Sequence, residues 1–100
     1  MLFVLYCRDK PASQDLRLTT RPAHLEFARG QGAIKMAGPM FGDGRGADSD
    51  TMSGSLFVIE ANDLAEAQAF NAADPYTKAG LWASVTIHPF RWLLPEGAAR

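Results

Sequence analysis

The sequence predicts an α+β fold in which four antiparallel strands form one sheet and the helices cover one of its faces. Three observations predict it. Four runs read as strands, three of them rich in β-branched and aromatic residues, and with two segments of helical character they follow the order β-α-β-β-α-β. At 100 residues the chain is the size of one domain, and 47% hydrophobic residues can fill a core. The first strand is apolar at consecutive positions, as in a strand covered on both faces, yet the helices suffice to cover only one.

Residues 2–7, Leu-Phe-Val-Leu-Tyr-Cys, form the first strand, and Asp9-Lys10-Pro11 ends it. Residues 13–18 have weak helical character, with Leu16 as the apolar anchor. Thr19 and Thr20 offer polar caps before a helix that starts at Pro22, where a missing N–H is no loss, and runs to Gln31, with Gly32 as its stop. At about 100° per residue, Ala23, His24, Phe27 and Ala28 share the inward half of this helix, and Glu26 and Arg29 the outward half. Residues 33–40 read as the second strand. Pro39 cannot donate to a ladder, so that end belongs at an edge or an irregularity. Residues 42–50 carry Gly42, Asp43, Gly44, Gly46, Asp48 and Asp50 without periodicity and are expected to be a mobile hairpin connection, with a substrate lid as the alternative. They lack the ligand spacing of a calcium loop and the lysine of a phosphate-binding loop.

Residues 55–60 are the clearest strand. Asp63 caps the next helix with Glu66 three residues on, and Leu64, Ala67 and Phe70 form its apolar stripe. Asp74-Pro75 closes that helix and starts a short one, which Asp74 caps and Gly80 stops. The last strand runs from Trp82 to Trp92 with a disturbance at Pro89. One domain is expected over residues 1–94, with residues 95–100 a frayed tail. This order of elements is that of the ferredoxin-like fold. The open sheet face is expected to pack on the same face of a second copy, about 10 Å away, giving a homodimer.

Ten Lys and Arg against eleven Asp and Glu leave a net charge of −1, which gives no electrostatic case for a nucleic-acid or membrane partner. No apolar run approaches the roughly 18 residues of a transmembrane helix. The opening residues lack the basic n-region of a signal peptide, so a cytoplasmic location is expected. Cys7 is the only cysteine, so no intrachain disulfide exists, and its place in an apolar strand suits a core residue better than a nucleophile.

His24 is the residue of most chemical interest. A buried imidazole needs a partner, because an unsatisfied buried polar group costs roughly 1–3 kcal/mol. Two readings stand: a core histidine bonded to a backbone carbonyl, or a histidine lining a pocket between helix and sheet. In the second, a group titrating near about pH 6.5 can take and return a proton. A carboxylate on its other ring nitrogen would fix the tautomer and stabilise the imidazolium, while Asp74, before Pro75, reads as a helix cap. Arg17 and Arg21 either hold an anionic ligand by bidentate bonds or form a solvated face. Tyr6 and Ser55 either donate hydrogen bonds into the pocket or belong to core and surface, and His88 reads as structural. No second His or Cys stands at metal-ligand spacing from His24, so neither a metal nor another cofactor is expected. Neither a dinucleotide-binding G-x-G-x-x-G after a strand nor a G-x-S-x-G elbow is present.

Several stretches taken together resemble the YciI-like proteins over nearly the whole chain. They are Leu2-Phe3-Val4-Leu5-Tyr6, Arg17-Leu18, Arg21-Pro22-Ala23-His24-Leu25, Ala37-Gly38-Pro39-Met40, Ala72-Ala73-Asp74-Pro75-Tyr76 and the strand ending in Pro89-Phe90. The resemblance implies a ferredoxin-like α+β barrel formed by a dimer, and a pocket whose histidine and aspartate form a catalytic dyad, here His24 and Asp74. Gly38 and Tyr76 lie in the matching stretches and join Arg17, Arg21, Tyr6 and Ser55 as candidate substrate contacts. The family is related to muconolactone-isomerase-like proteins, and a dehydrochlorinase of chlorinated hydroquinone breakdown is similar. The resemblance therefore implies proton transfer of the lyase, isomerase or dehydrochlorinase type on a small anionic or cyclic carbonyl compound. The alternatives are a dimer that binds a small metabolite without turning it over, and an interaction protein whose dimer is the whole function.

Overall fold

The computed structural model describes residues 1–42 and 50–97. Its elements are β1 (Leu2–Asp9), α1 (Gln14–Arg29), β2 (Ile34–Phe41), β3 (Met52–Glu60), α2 (Leu64–Ala73), α3 (Pro75–Lys78) and β4 (Trp82–Phe90). The strands form one antiparallel sheet in the order β2-β3-β1-β4, the ferredoxin-like arrangement. β2 with Pro39 and β4 with Pro89 are the two edges, where a missing ladder donor costs least. The lid considered for residues 42–50 lies mostly outside the described residues. Among the described residues, no helix is long and apolar enough to cross a membrane.

The period of two in β1 sorts its side chains. Phe3, Leu5 and Cys7 are buried under the helices with Phe57, Ile59 and Ala67. Tyr6 points to the opposite face and is 42% exposed. Burial pushes the Cys7 thiol up to about 12, with the charge of Asp74 adding to it, so this cysteine is an unreactive core residue. The caps form as their residue types require. Asp63 accepts from the Glu66 N–H at 2.9 Å, Asp74 accepts from the Tyr76 N–H at 2.9 Å, and Gly80 takes a φ of 77° after α3.

The first helix departs from the sequence reading. It does not begin at Pro22 but runs unbroken from Gln14 to Arg29 with Pro22 inside. Proline removes the donor that would meet the Leu18 carbonyl. Leu18 and Pro22 both face solvent, so water can take that carbonyl. Arg17 and His24, two turns apart on one face, are the buried residues that hold both halves against the sheet. Leu16, expected as the anchor, is 37% exposed and Arg17 replaces it inside. Ala23 is exposed as well, so the inward stripe is narrower than expected. In α2 the stripe is Ala67, Phe70 and Asn71, and Leu64 at the first turn is 46% exposed.

Candidate functional site

Helix α1 and the short α3 bring together two residues fifty positions apart. The Nδ1 of His24 lies 2.8 Å from Oδ1 of Asp74, and the Asp74 side chain is completely buried. The same Oδ1 accepts the Tyr76 N–H, so one oxygen both caps α3 and meets the imidazole. Oδ2 is buried without a bonding partner, which leaves acceptor capacity on a carboxylate that no solvent reaches. His24 is further fixed by rings. It stacks on Tyr76 with centroids 4.0 Å apart and 18° between planes, and meets Phe57 edge-on at 5.9 Å.

Beside this pair opens a cavity of about 410 Å³ between α1 and the β2–β3 half of the sheet, with His24, Tyr76, Ser55 and Gly38 in its wall. Arg17 also lines it, but the guanidinium is no solvated face and is not free to hold a ligand by a bidentate fork. Its Nε and Nη2 donate to Asp9 at 2.7 and 2.8 Å, and Nη2 donates to Ser55 Oγ at 3.0 Å. Burial works against this cation, but the hydrogen bonds and charge of Asp9 outweigh it and raise the Arg17 pKa above its ordinary value. The same group lies over the Tyr76 ring, 4.8 Å from its centroid. Burial raises the Tyr76 phenol, which stays protonated.

Of the residues singled out in the sequence, His24, Arg17, Arg21, Ser55, Gly38 and Tyr76 all border this cavity. Asp74 stands behind His24 rather than in the wall. Tyr6 is not brought there, because alternation along β1 turns it to the other face of the sheet, in register with Leu56 and Thr86. His88 is exposed on that same open face, opposite Val4. Asp9 ends β1 as expected, and it shares the odd-numbered register of Phe3, Leu5 and Cys7, a signal that its carboxylate turns inward. Arg29, expected on the outward half of its helix, is exposed and yet borders the cavity, as does Lys35. Among the described residues, no group of three His, Cys, Asp or Glu side chains could hold a metal ion.

Fold and site define a class: a ferredoxin-like α+β domain with a cation-lined hollow between its first helix and the sheet, and in the wall a histidine backed by a buried carboxylate. Comparison with known proteins narrows it. The YCII-related domain matches residues 1–91. Protein YciI of Escherichia coli O6:H1 is 38% identical over 95 residues, covering 91% of this chain and 97% of that protein. An uncharacterized protein of Haemophilus influenzae is 28% identical over 95 residues, with the same coverage. The chain belongs to the YCII-related, YciI-like family. Among solved structures it is similar to 5-chloro-2-hydroxyhydroquinone dehydrochlorinase (TftG) from Burkholderia phenoliruptrix AC1100, solved in complex with 2,5-dihydroxybenzoquinone. Identity is 36% and the TM-score 0.81, over 91% of this chain and 94% of that one. An antibiotic biosynthesis monooxygenase, 16% identical with a TM-score of 0.54 over 93% of this chain and 99% of that one, shares the fold alone.

Proposed function

We propose that this protein is an enzyme acting on small molecules, in which His24 moves a proton on a small, cyclic, anionic hydroxy or carbonyl compound. The observation that carries this reading is the 2.8 Å contact of His24 Nδ1 with Asp74, made behind a histidine that lines an open cavity. With Nδ1–H donated to Asp74, the tautomer is set and Nε2 is left as the basic nitrogen. Asp74 is a positioning residue that stabilises the imidazolium as the proton arrives. The proton goes to Nε2 and the freed electron pair moves into the ring system of the substrate. It either expels a leaving group such as halide or is reprotonated by His24 at another carbon. The similarity to TftG supports the eliminating version of this chemistry. Arg21, in the same wall, suits a substrate carboxylate or enolate.

The test starts from a thermal-shift screen of small aromatic, hydroxyquinone and lactone acids, since a ligand bound only by the folded state raises the melting temperature. With a turned-over hit, His24→Ala is expected to lose about 10²–10⁴-fold in kcat while still binding the compound. Unchanged turnover in that variant overturns the reading. Retained binding of a hit that neither protein converts points to a metabolite-binding module.

The open sheet face supports a homodimer. Tyr6, Met36 and Phe90 lie there, 42%, 46% and 39% exposed, next to Leu2, Val4 and Leu56, and this apolar strip has no helix over it. Sedimentation at micromolar concentration is expected to give twice the chain mass. A soluble monomer at that concentration refutes it.

A further inference from the structure

We infer that the cavity takes a cyclic dianion whose two carboxylates are held apart, one by Arg21 beside His24 and the other by Arg29 and Lys35. This rests on the reading of the cavity as a substrate site and names the class of substrate.

The charge of the whole chain is −1, yet four of its ten Lys and Arg border this one cavity, and no Asp or Glu among the described residues does. Arg17 is already neutralised by Asp9. Arg21, Arg29 and Lys35 remain, and none has an ion-pair partner among the described residues. Three unpaired cations around one hollow repel one another and are relieved by a bound anion.

Their placement gives the spacing. Arg21, Leu25, Ala28 and Arg29 lie on one stripe of α1, so the cavity wall reads cation, apolar, apolar, cation. Arg21 and Arg29 are separated by about 12 Å of helix. Phe57 and Ile34 add apolar surface to the same cavity. An apolar ring with a charged group at each end matches this sequence of surfaces, whereas one doubly charged group does not.

Lys35 lies at an irregularity in β2 and borders the cavity. Ile34 pairs with Ile59 and Met36 with Val58, so two residues of β2 stand opposite one of β3 and Lys35 is the extra one. Regular alternation would send Lys35 to the face opposite Ile34, and Ile34 packs on the core under the helices. At this irregularity Lys35 has no partner on β3, and it borders the cavity. The Ile34 N–H bonds the Gln31 carbonyl, which ties the start of β2 to the end of α1 and so brings Lys35 to the end where Arg29 stands.

Isothermal titration of the full chain with four probes tests this: hydroquinone, 2,5-dihydroxybenzoate, 2,5-dihydroxyterephthalate and phenyl phosphate. The dicarboxylate is expected to bind about tenfold or more tighter than the monocarboxylate, a gain consistent with one further charge-assisted contact. The double variant Arg29→Ala/Lys35→Ala is expected to abolish that preference, and Arg21→Ala to weaken both carboxylates. All three side chains are at the surface, and thermal melting checks that the variants fold. Equal affinity for the two carboxylates, phenyl phosphate binding as tightly as the dicarboxylate, or no binding by any probe overturns the inference. The outcome is independent of the proton-transfer reading: the preference for the dicarboxylate should persist in His24→Ala, and normal turnover by that variant would sink only the role of His24.

Discussion

Asp9→Ala is expected to lower the stability of the fold by about 3–5 kcal/mol, because it leaves the Arg17 guanidinium charged, buried and without its counter-ion. The Arg17 side chain is only 2% exposed and that of Asp9 5% exposed, so water cannot replace the lost carboxylate. Ser55 would remain as a neutral acceptor for one N–H, too little for a buried charge. Domains of this kind are stable by only about 5–15 kcal/mol, so the loss is a large share of the total. Urea denaturation followed by circular dichroism measures it, and thermal melting should fall by at least about 12 °C. Removing both partners together, as Asp9→Leu with Arg17→Met, is expected to recover most of the stability, since an apolar pair of similar volume has no charge to desolvate. A loss below about 1 kcal/mol in Asp9→Ala would show the pair to behave as a surface ion pair. The variant should also loosen the site, because Arg17 lies over Tyr76 and Tyr76 is stacked on His24.

Gly54→Ala is expected to be of similar severity for a steric reason. Gly54 sits in β3, between β2 and β1, opposite Arg8 on one side and Met40 on the other. A Cβ built there would stand 2.3 Å from the Cys7 carbonyl oxygen and 2.9 Å from the Met40 methyl. The methionine can swing away, but the carbonyl belongs to the central β1 strand and moves only if the two strands separate. Overpacking of this kind costs about 1–3 kcal/mol where side chains can yield, and a backbone clash belongs at the top of that range. The expected result is a fall of about 3 kcal/mol in the urea-derived stability. Unchanged stability would mean that the β1–β3 ladder near Cys7 opens without loss. Gly38→Ala serves as the control, since a Cβ there meets no atom within 4 Å.

Elements whose chemistry is local could be read directly from the chain. Asp63 with Glu66, Asp74 with Pro75, and Gly80 each cap or stop a helix through bonds to neighbours within a few residues, so their types and spacing are sufficient. Period two in β1 and the prolines of the edge strands likewise constrain the sheet before any contact is known. His24 and Asp74 were legible because one sits mid-stripe on an amphipathic helix, the other at a capping position, and the resemblance joined them.

What depends on contacts between distant parts of the chain was decided only by the tertiary structure. Whether a charged residue enters the core is set by what it meets there. Arg17 is buried and Leu16 exposed because Asp9 waits at the end of β1. Pro22 lies inside a helix because residues on either side of it are anchored to the sheet, which outweighs one missing hydrogen bond. Tyr6 left the site because pleat and register, not residue type, assign it a face. Lys35 borders the site at a bulge that shifts the register of β2 by one. A one-residue shift is invisible in composition and local propensity, yet it exchanges the two faces of a strand.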